Sequence, residues 1–193
     1  MPNYRRVFIS GGSYFFTVNL LERRASLLTT HARELQTAIR WTKRRQPFRI
    51  DALVILPDHL HAVLTLPEGD ANFPLRWRLI KGRFSRFLER TEWRSGVRVR
   101  RRERGIWQRR FWEHLIRDDQ DFYNHVAYCY SNPVKHGLVS EAKDWPHSTY
   151  RRDLRAGIFE FDLAMPNTST AWMQRPVCEY SWVRLGACGA SRA

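Results

Sequence analysis

Two apolar runs, 50–56 and 60–66, constrain the fold of this chain more than any other feature. The connection between them begins with Pro57 and Asp58, which are residue types that favour turns. Two apolar runs joined in this way predict a tight antiparallel hairpin or a strand with a bend. We therefore expect this part of the chain to contribute β-structure to an antiparallel sheet.

The rest of the chain alternates between strand and helix patterns. An aromatic and branched run after Gly11-Gly12 predicts a strand that starts near Tyr14. The predicted helices are 30–45, 75–90 and 119–131, a further strand is predicted over 106–116, and an exposed arginine-rich loop over 94–105. The third helix is expected to end before Pro133, because proline disfavours helix in the preceding residue. The order β, α, β, β, α, β, α predicts an α+β domain with an antiparallel sheet and packed helices.

The length of 193 residues fits a single domain with a tail. Hydrophobic residues make up 43% of the chain, which is enough for a packed core and excludes global disorder. We expect one domain over 1–165 and a C-terminal tail over 166–193. The tail has weak periodicity, so it is expected to be flexible or docked through Trp172, Tyr180 and Trp182.

The basic charge of the chain is concentrated in one segment. Lys and Arg number 33 against 19 Asp and Glu, a net charge of +14, and 76–110 contributes 14 basic and 3 acidic residues, or +11. Such an excess indicates a polyanionic partner. No apolar run approaches the roughly 18 residues of a transmembrane helix and no secretory signal is visible, so nucleic acid is favoured over a membrane partner.

The cysteines bear on the compartment. Cys129, Cys178 and Cys188 are an odd number and lack the spacing of a zinc module. This pattern suits a reducing compartment, so a cytoplasmic protein is expected.

The first candidate for chemistry is the sequence His59-Leu60-His61 at the start of the second hairpin strand. Residues i and i+2 of a strand point to the same face, so both imidazoles project together and could hold one divalent cation. Two surface histidines beside Asp58 would give the same pattern, and two ligands do not make a metal site. A third ligand has to come from elsewhere in the chain.

The third predicted helix offers such a ligand. At 100° per residue its apolar residues gather on one face, while a separate polar stripe forms beside them. The stripe consists of Asp121, His125, Tyr128 and Asn132. Tyr123 and Tyr130 border the apolar face and are interpreted as packing residues. Tyr128 stands apart because it lies in the stripe.

A phenol beside a metal site in a basic protein can attack a phosphodiester. The ordinary phenolic pKa of about 10 makes tyrosine a poor nucleophile, so a cation and nearby Lys or Arg must favour the phenolate. A metal held by His59, His61 and the side-chain oxygen of Asn132 would polarise the phosphate that Tyr128 attacks. This hypothesis requires the histidine strand and the tyrosine helix to meet.

Four segments of the chain resemble the REP-associated tyrosine transposases. They are Leu-Pro-Asp-His-Leu-His at 56–61, Ile-Trp-Gln-Arg-Arg-Phe-Trp-Glu-His at 106–114, Tyr-Cys-Tyr-Ser-Asn-Pro-Val-Lys-His-Gly-Leu-Val at 128–139 and Asp-Trp-Pro at 144–146. That family belongs to the HUH single-strand nucleases, in which U is a hydrophobic residue. The resemblance spans residues 1 to about 163 in order. His-x-His alone is weak, whereas its combination with Asn-Pro-Val-Lys-His-Gly after a tyrosine helix is specific.

The resemblance implies a ferredoxin-like α+β core, the HUH nuclease fold, with Mg²⁺ or Mn²⁺ as cofactor. It assigns His59 and His61 to the metal-binding pair, Tyr128 to the nucleophile and Asn132 to the third ligand. It also implies cleavage of single-stranded DNA to a 5′-phosphotyrosine and a free 3′-OH, which another 3′-OH can reverse. The implied substrates are palindromic intergenic repeats that fold into imperfect hairpins with a short guide sequence at the foot. Cys129 stands where a branched apolar residue is expected.

Candidate DNA contacts were chosen from the basic arm, the second helix and the neighbours of the motifs. They are Tyr4, Arg5, Arg6, Arg76, Lys81, Arg83, Arg86, Arg109, Arg110, Lys135 and His136. Taken singly, each cation is as well explained as a solvated charge, and Lys135 and His136 are best placed to touch the cleaved phosphate. His31, His114 and His147 are interpreted as surface or packing residues, and His125 as a residue that tunes Tyr128 or ends the stripe.

Two other functions remain open from the sequence. A non-catalytic DNA-hairpin-binding regulator would keep the scaffold and the charge but would not need all four of His59, His61, Tyr128 and Asn132. A basic RNA-binding protein would account for the arginines and aromatics but not for the polar stripe. We expect a monomer or weak dimer that acts on DNA near the nucleoid.

Overall fold

The computed structural model describes residues 6–23 and 26–158. Its strands are β1 (Ser13–Asn19), β2 (Arg49–Ile55), β3 (His59–Thr65) and β4 (Trp112–Leu115). They form one sheet in the order β2-β3-β1-β4, in which every neighbouring pair is antiparallel. This ferredoxin-like order confirms the predicted fold class, and β2 and β3 are the predicted hairpin.

The helices of the described residues are α1 (Leu27–Thr30), α2 (Ala32–Arg45), α3 (Phe73–Phe87), α4 (Gly96–Arg100), α5 (Asp119–Lys135) and α6 (Tyr150–Arg155), with a 3-10 turn at Ala142–Asp144. Side chains cap the two helices that carry most of the fold. The side chain of Asn72 accepts from the Leu75 N–H at the start of α3, and that of Asp118 accepts from the Asp121 N–H at the start of α5.

The two faces of the sheet have different chemistry. On one face, alternate β1 residues such as Phe16 and Val18 pack with apolar residues of α2 and α3, including Trp77, to form the main core. The opposite face carries Phe15 and Thr17 of β1 beside His61 of β3, and α5 lies against it. Since successive strand residues point to opposite faces, this alternation separates a dry core from a polar face.

Three secondary-structure predictions were wrong in part. The helix α5 continues through Pro133 to Lys135, because a helical last turn loses only the proline N–H while the His136 and Gly137 N–H groups still donate to Asn132 and Val134 carbonyls. Within the predicted loop 94–105, the residues of α4 form a short helix.

The predicted strand 106–116 is also too long. Only β4 pairs in the sheet ladder, whereas Trp107 makes an isolated bridge to Leu20. The segment before β4 is held to α3 instead, because Lys81 Nζ donates to the Gln108 carbonyl oxygen at 3.0 Å. The aromatic residues that suggested a long strand therefore pack as a loop.

The predicted division into 1–165 and 166–193 stays a prediction, because the tail and its Trp172, Tyr180 and Trp182 lie outside the described residues. Among the described residues, no helix has the length and apolarity needed to cross a bilayer.

Candidate active site

Two buried histidines, His59 and His61, lie side by side on β3. One ring nitrogen of each is within hydrogen-bond distance of a side-chain oxygen. The ring centroids of His59 and His61 are 4.9 Å apart. His59 Nδ1 lies 2.6 Å from the Asp58 carboxylate, and His61 Nδ1 lies 2.9 Å from the Thr17 hydroxyl. Both rings are therefore oriented through Nδ1, which leaves Nε2 as the nitrogen for a ligand.

Burial keeps this pair neutral. Desolvation lowers the pKa of His59 despite the hydrogen bond to Asp58, and it lowers the pKa of His61 to about 3. Hydrogen bonds from His59 and Arg23 in turn lower the pKa of Asp58, against the opposing effect of its own burial. An imidazole that stays neutral offers a lone pair, which is the form that binds metals.

The tyrosine helix meets the histidine strand. The Tyr128 ring centroid is 5.1 Å from that of His61, and Phe15 lies against both rings at 5.7 and 5.4 Å. The polar stripe of α5 faces the sheet, so Asp121, His125 and Asn132 are buried. The requirement that strand and helix come together is satisfied, because β1 carries Phe15 and Thr17 between the two elements.

The amide of Asn132 connects the tyrosine to the histidines. Its Nδ2 donates to the Tyr128 carbonyl oxygen at 2.7 Å, one helical turn earlier. Its side chain also lies close enough to the Tyr128 phenol to lower that group's pKa and to His61 to raise that group's pKa, although burial has the larger, opposite effect on each. With the nitrogen held, the oxygen is the atom that Asn132 can offer to a cation.

Two basic side chains stand at the end of α5 beside this group. Lys135 Nζ is 4.9 Å from the Tyr128 ring centroid, and the His136 ring is 5.3 Å from the His59 ring. Burial raises the pKa of the Tyr128 phenol and lowers the pKa of the Lys135 ammonium. Both shifts have the same cause, because burial disfavours the charged form of each group.

These residues fit a divalent cation. Two imidazole nitrogens and an amide oxygen are donors that such ions accept. Nε2 of His61 is buried and has no hydrogen-bond partner of ordinary geometry among the described residues, although the Asn132 amide lies beside it. The hydrogen bonds of the two Nδ1 atoms with Asp58 and Thr17 supply the outer contacts that orient metal-binding histidines.

A second cluster lies on the same face of the sheet and was missed from the sequence. Nitrogen and oxygen atoms of His114, Asp121 and His125 lie within 4.8 Å of one another. Asp121 Oδ2 is 2.8 Å from His114 Nε2, and His125 Nδ1 is 2.7 Å from the Asp121 carbonyl oxygen. The spacing of Asp121 and His125 gave a signal, but only the position of β4 brings in His114.

The candidate DNA contacts Arg76 and Lys81 of the second predicted helix, α3, are enclosed by other residues. Arg76 is fully buried and donates to the Pro47 and Asn72 carbonyl oxygens and to Asp70, so it is a structural residue and not a DNA contact. Lys81 is enclosed between Trp107 and Phe111, where burial lowers its pKa to about 8. The helix pattern predicted the arginine face but could not show that α3 packs on the sheet face opposite the histidines.

The other basic candidates have different surroundings. Arg83 lies over the Trp41 and Phe87 rings of the same far layer, whereas Arg86 is exposed there. Arg109, Arg110, Lys135 and His136 are exposed, and of these Lys135 and His136 adjoin Tyr128 and His59. Arg6 pairs with Glu113 at 2.9 Å, and Tyr4 and Arg5 lie outside the described residues.

The orienting residues Thr17 and Asp58 were not predicted as part of the site. Asp58 is adjacent to His59 in sequence, so its role had a local signal. Thr17 had none, because it reaches His61 only through the β1–β3 register.

Comparison with known proteins agrees with the fold. None of the protein-family models matches the chain. A REP-associated tyrosine transposase of Escherichia coli K12 is 48% identical over 164 residues, covering 85% of this chain and 92% of the relative. A Haemophilus influenzae relative assigned to the same family is 49% identical over 164 residues, covering 84% and 93%.

A solved structure extends the comparison to three dimensions. The structure of a REP-associated tyrosine transposase bound to a REP hairpin superposes with a TM-score of 0.72 at 48% identity, covering 85% of this chain and 92% of that one. The ferredoxin-like sheet and the match in fold define the class as a transposase. Within that class, the chain belongs to the REP-associated tyrosine transposase family.

Proposed function

We propose that the chain is a metal-dependent endonuclease and strand transferase of single-stranded DNA that acts through Tyr128. The observation that carries this function is the approach of the Tyr128 ring to the buried His59-His61 pair, with the Asn132 amide between them. A regulator that only binds hairpins has no need for a neutral histidine pair beside a buried phenol. The placement therefore favours the catalytic function over the non-catalytic one.

The proposed reaction is a transesterification. The Tyr128 oxygen forms a bond to phosphorus while the bond from phosphorus to the 3′ oxygen breaks, which leaves a 5′-phosphotyrosine and a 3′-OH. The phenolic proton leaves with the attack, and one proton is taken up by the departing 3′ oxygen. Attack of another 3′-OH on the phosphotyrosine reverses the bonds and releases Tyr128.

Neighbouring residues prepare this step. Lys135 places a positive charge 4.9 Å from the Tyr128 ring, where it stabilises a phenolate and an approaching phosphate. Asn132 fixes the Tyr128 turn through its Nδ2, and Phe15 packs edge-on against the phenol ring. His59, His61 and the Asn132 oxygen would hold Mg²⁺ or Mn²⁺, which supplies charge to polarise the scissile phosphate.

The substrate class follows from family membership and charge. The solved relative was determined bound to a REP hairpin. We infer that this chain likewise takes REP-type hairpins with an unpaired foot, as a monomer or weak dimer in the cytoplasm beside the nucleoid. Exposed Arg109 and Arg110, with Lys135 and His136, are the cations that would contact phosphates.

A covalent-adduct assay tests the proposal. The protein is incubated with a labelled genomic hairpin oligonucleotide and Mg²⁺ or Mn²⁺, and products are separated under denaturing conditions. We expect a DNA-linked protein band and a free 3′-OH fragment with the wild type. Tyr128→Phe should give neither product while it still binds the hairpin, because only the nucleophilic oxygen is removed.

Tyr123→Phe is the matched control, since Tyr123 lies on the same helix but is partly exposed and outside the polar stripe. It should form the adduct at the wild-type rate. Adduct formation by Tyr128→Phe would assign the nucleophile elsewhere. Hairpin binding by the wild type without any cleavage in either metal would favour the non-catalytic regulator.

A further inference from the structure

An exposed tryptophan lies on the same sheet face as the proposed catalytic residues. Trp112 is in β4, at one end of the strand order, and 38% of it is exposed. The register places Trp112 opposite Thr17 and Thr17 opposite His61. Because neighbouring strands are about 4.8 Å apart, this row puts Trp112 about 10 Å from His61. A nucleotide close to the scissile phosphate can reach that distance.

The Trp112 indole is held in place by a row of rings. It meets Phe15 edge-on, with centroids 5.7 Å apart and an interplanar angle of 71°. It lies nearly parallel to His114 at 6.0 Å and 12°, and His114 is parallel to His125 at 4.5 Å and 17°. The hydrogen bond from His114 to Asp121 fixes the middle ring. A large ring with a preset orientation loses little conformational freedom on binding a ligand.

We propose that Trp112 is a stacking platform for an unpaired DNA base next to the phosphate that Tyr128 attacks, and that His114 and Asp121 act as its positioning residues. This inference rests on the proposed function and adds to it the residue that places the single-stranded foot of the hairpin. Every base has a flat π face, so an aromatic ring can hold an unpaired base whatever its identity.

The charges around Trp112 fit a nucleotide. Arg109 and Arg110, both exposed, precede it, and Arg117 follows β4 with 44% of its side chain exposed. Arginines beside an exposed aromatic ring bind the backbone and the base of a single strand at the same time. The nearby Glu113 carboxylate points to the opposite face of the strand, where it pairs with Arg6. The open indole is therefore approached from a basic surface.

Binding measurements test the platform without relying on cleavage. All proteins carry Tyr128→Phe, and affinity is measured for the hairpin with its foot, for the hairpin without the foot, and for a series with one abasic site at each foot position. Trp112→Ala should weaken binding of the footed hairpin by about 5- to 150-fold, the range for loss of one base stack. Binding of the footless hairpin should stay unchanged.

One abasic position should behave as the partner of the indole. That abasic site should lower affinity as much as Trp112→Ala does, and combining the two changes should cost no more than either alone. Trp112→Phe should recover most of the affinity. Trp93→Ala is the matched control because Trp93 is 81% exposed and comes from the segment between α3 and α4. It should not change the advantage of the footed hairpin.

Equal loss of affinity for footed and footless hairpins, or additive effects of Trp112→Ala with every abasic site, would overturn the platform. Trp112→Leu keeps a large apolar side chain but has no π face, so it should weaken binding of the footed hairpin as Trp112→Ala does, and it keeps the test decisive if Trp112→Ala does not fold. Failure of this inference differs from failure of the proposed function. If only the platform fails, proteins with Tyr128 intact still form the adduct, and Trp112→Ala does not change it. If the proposed function fails, the wild type forms no adduct, although the abasic series still reports stacking.

Discussion

Two histidine clusters on one face of the sheet use the same residue types in different ways. His59 and His61 are each held through Nδ1, by a carboxylate and by a hydroxyl, so their Nε2 atoms are left for a ligand. In the second cluster, the Asp121 carboxylate lies between His114 and His125 and also accepts from Arg117 at 3.1 Å. There the carboxylate is already paired with the Arg117 guanidinium and with two imidazoles.

This difference shows that proximity of histidines to an acid does not make a metal site. A guanidinium on Asp121 supplies the positive charge that a metal would bring, and it repels a second cation. Among the described residues beside the first pair, Arg23 pairs with the outer Asp58 carboxylate, and Lys135 and His136 lie at the rim. We therefore interpret the first cluster as the ligand group and the second as structural support for the sheet and Trp112.

The largest expected effect separates the two clusters by metal affinity. His61→Ala should weaken Mn²⁺ binding by more than about 100-fold, since it removes a direct ligand where changes in outer contacts alone cost 10- to 100-fold. His114→Ala should leave Mn²⁺ affinity within about threefold, because it removes neither a ligand of the ion nor a hydrogen bond to such a ligand. Calorimetry or the free Mn²⁺ electron paramagnetic resonance signal measures both. Equal losses in the two variants would place the ion in the second cluster.

The carboxylates of Asp58 and Asp121 should differ in what they support, the first metal binding and the second stability. Asp58→Asn should weaken Mn²⁺ binding by about 10- to 100-fold, because the amide orients His59 less well. Its stability should change little, as Asp58 is partly exposed. Asp121→Asn should lower the free energy of unfolding by about 1.5–3 kcal/mol through loss of charge-assisted hydrogen bonds, and leave metal binding intact. Urea unfolding and calorimetry on both variants detect the crossover.

The stability of the protein in acid should depend on the ionisation of Asp121 in the second cluster. Burial opposes ionisation of Asp121, yet hydrogen bonds from His114 and His125 hold its pKa well below the usual range. The Arg117 guanidinium also faces the carboxylate. A depressed folded pKa contributes stability that is complete above the ordinary value of about 3.9 and is lost as pH falls below it.

Asp121→Asn should therefore lose less stability than the wild type between about pH 4 and pH 2. Urea midpoints measured across that range give the slopes. A slope as steep in the variant as in the wild type would show that other carboxylates carry the acid response.

Local patterns predicted the hairpin, the polar stripe and the residues that meet in the site. The spacing of His59 and His61 fixes a shared strand face, and the helical period places Tyr128 and Asn132 on one stripe. What the sequence did not reveal depends on register and on which layer a helix joins. Thr17 and His114 reach their partners through strand pairing, and Arg76 is buried because α3 packs on the far face.

The placement of the basic residues depends on the same packing of helices. The basic excess of 76–110 was interpreted as the mark of a polyanionic partner, but much of it belongs to α3 and its neighbours. Arg104, for example, pairs with Glu92 and donates to the Leu88 carbonyl oxygen. Periodicity reports which residues share a helix face, and it does not report which side of the sheet receives that helix.

The smallest expected effect concerns Cys129, which adjoins both clusters on α5. It follows Tyr128, lies one turn after His125, and is fully buried, which raises the pKa of its thiol. Cys129→Val restores the branched residue expected from the family and conserves volume, so stability should shift by less than about 1.5 kcal/mol. Adduct rate and Mn²⁺ affinity should match the wild type. A large loss of adduct with unchanged stability would show that the thiol acts on Tyr128, and would extend the catalytic cluster along the helix.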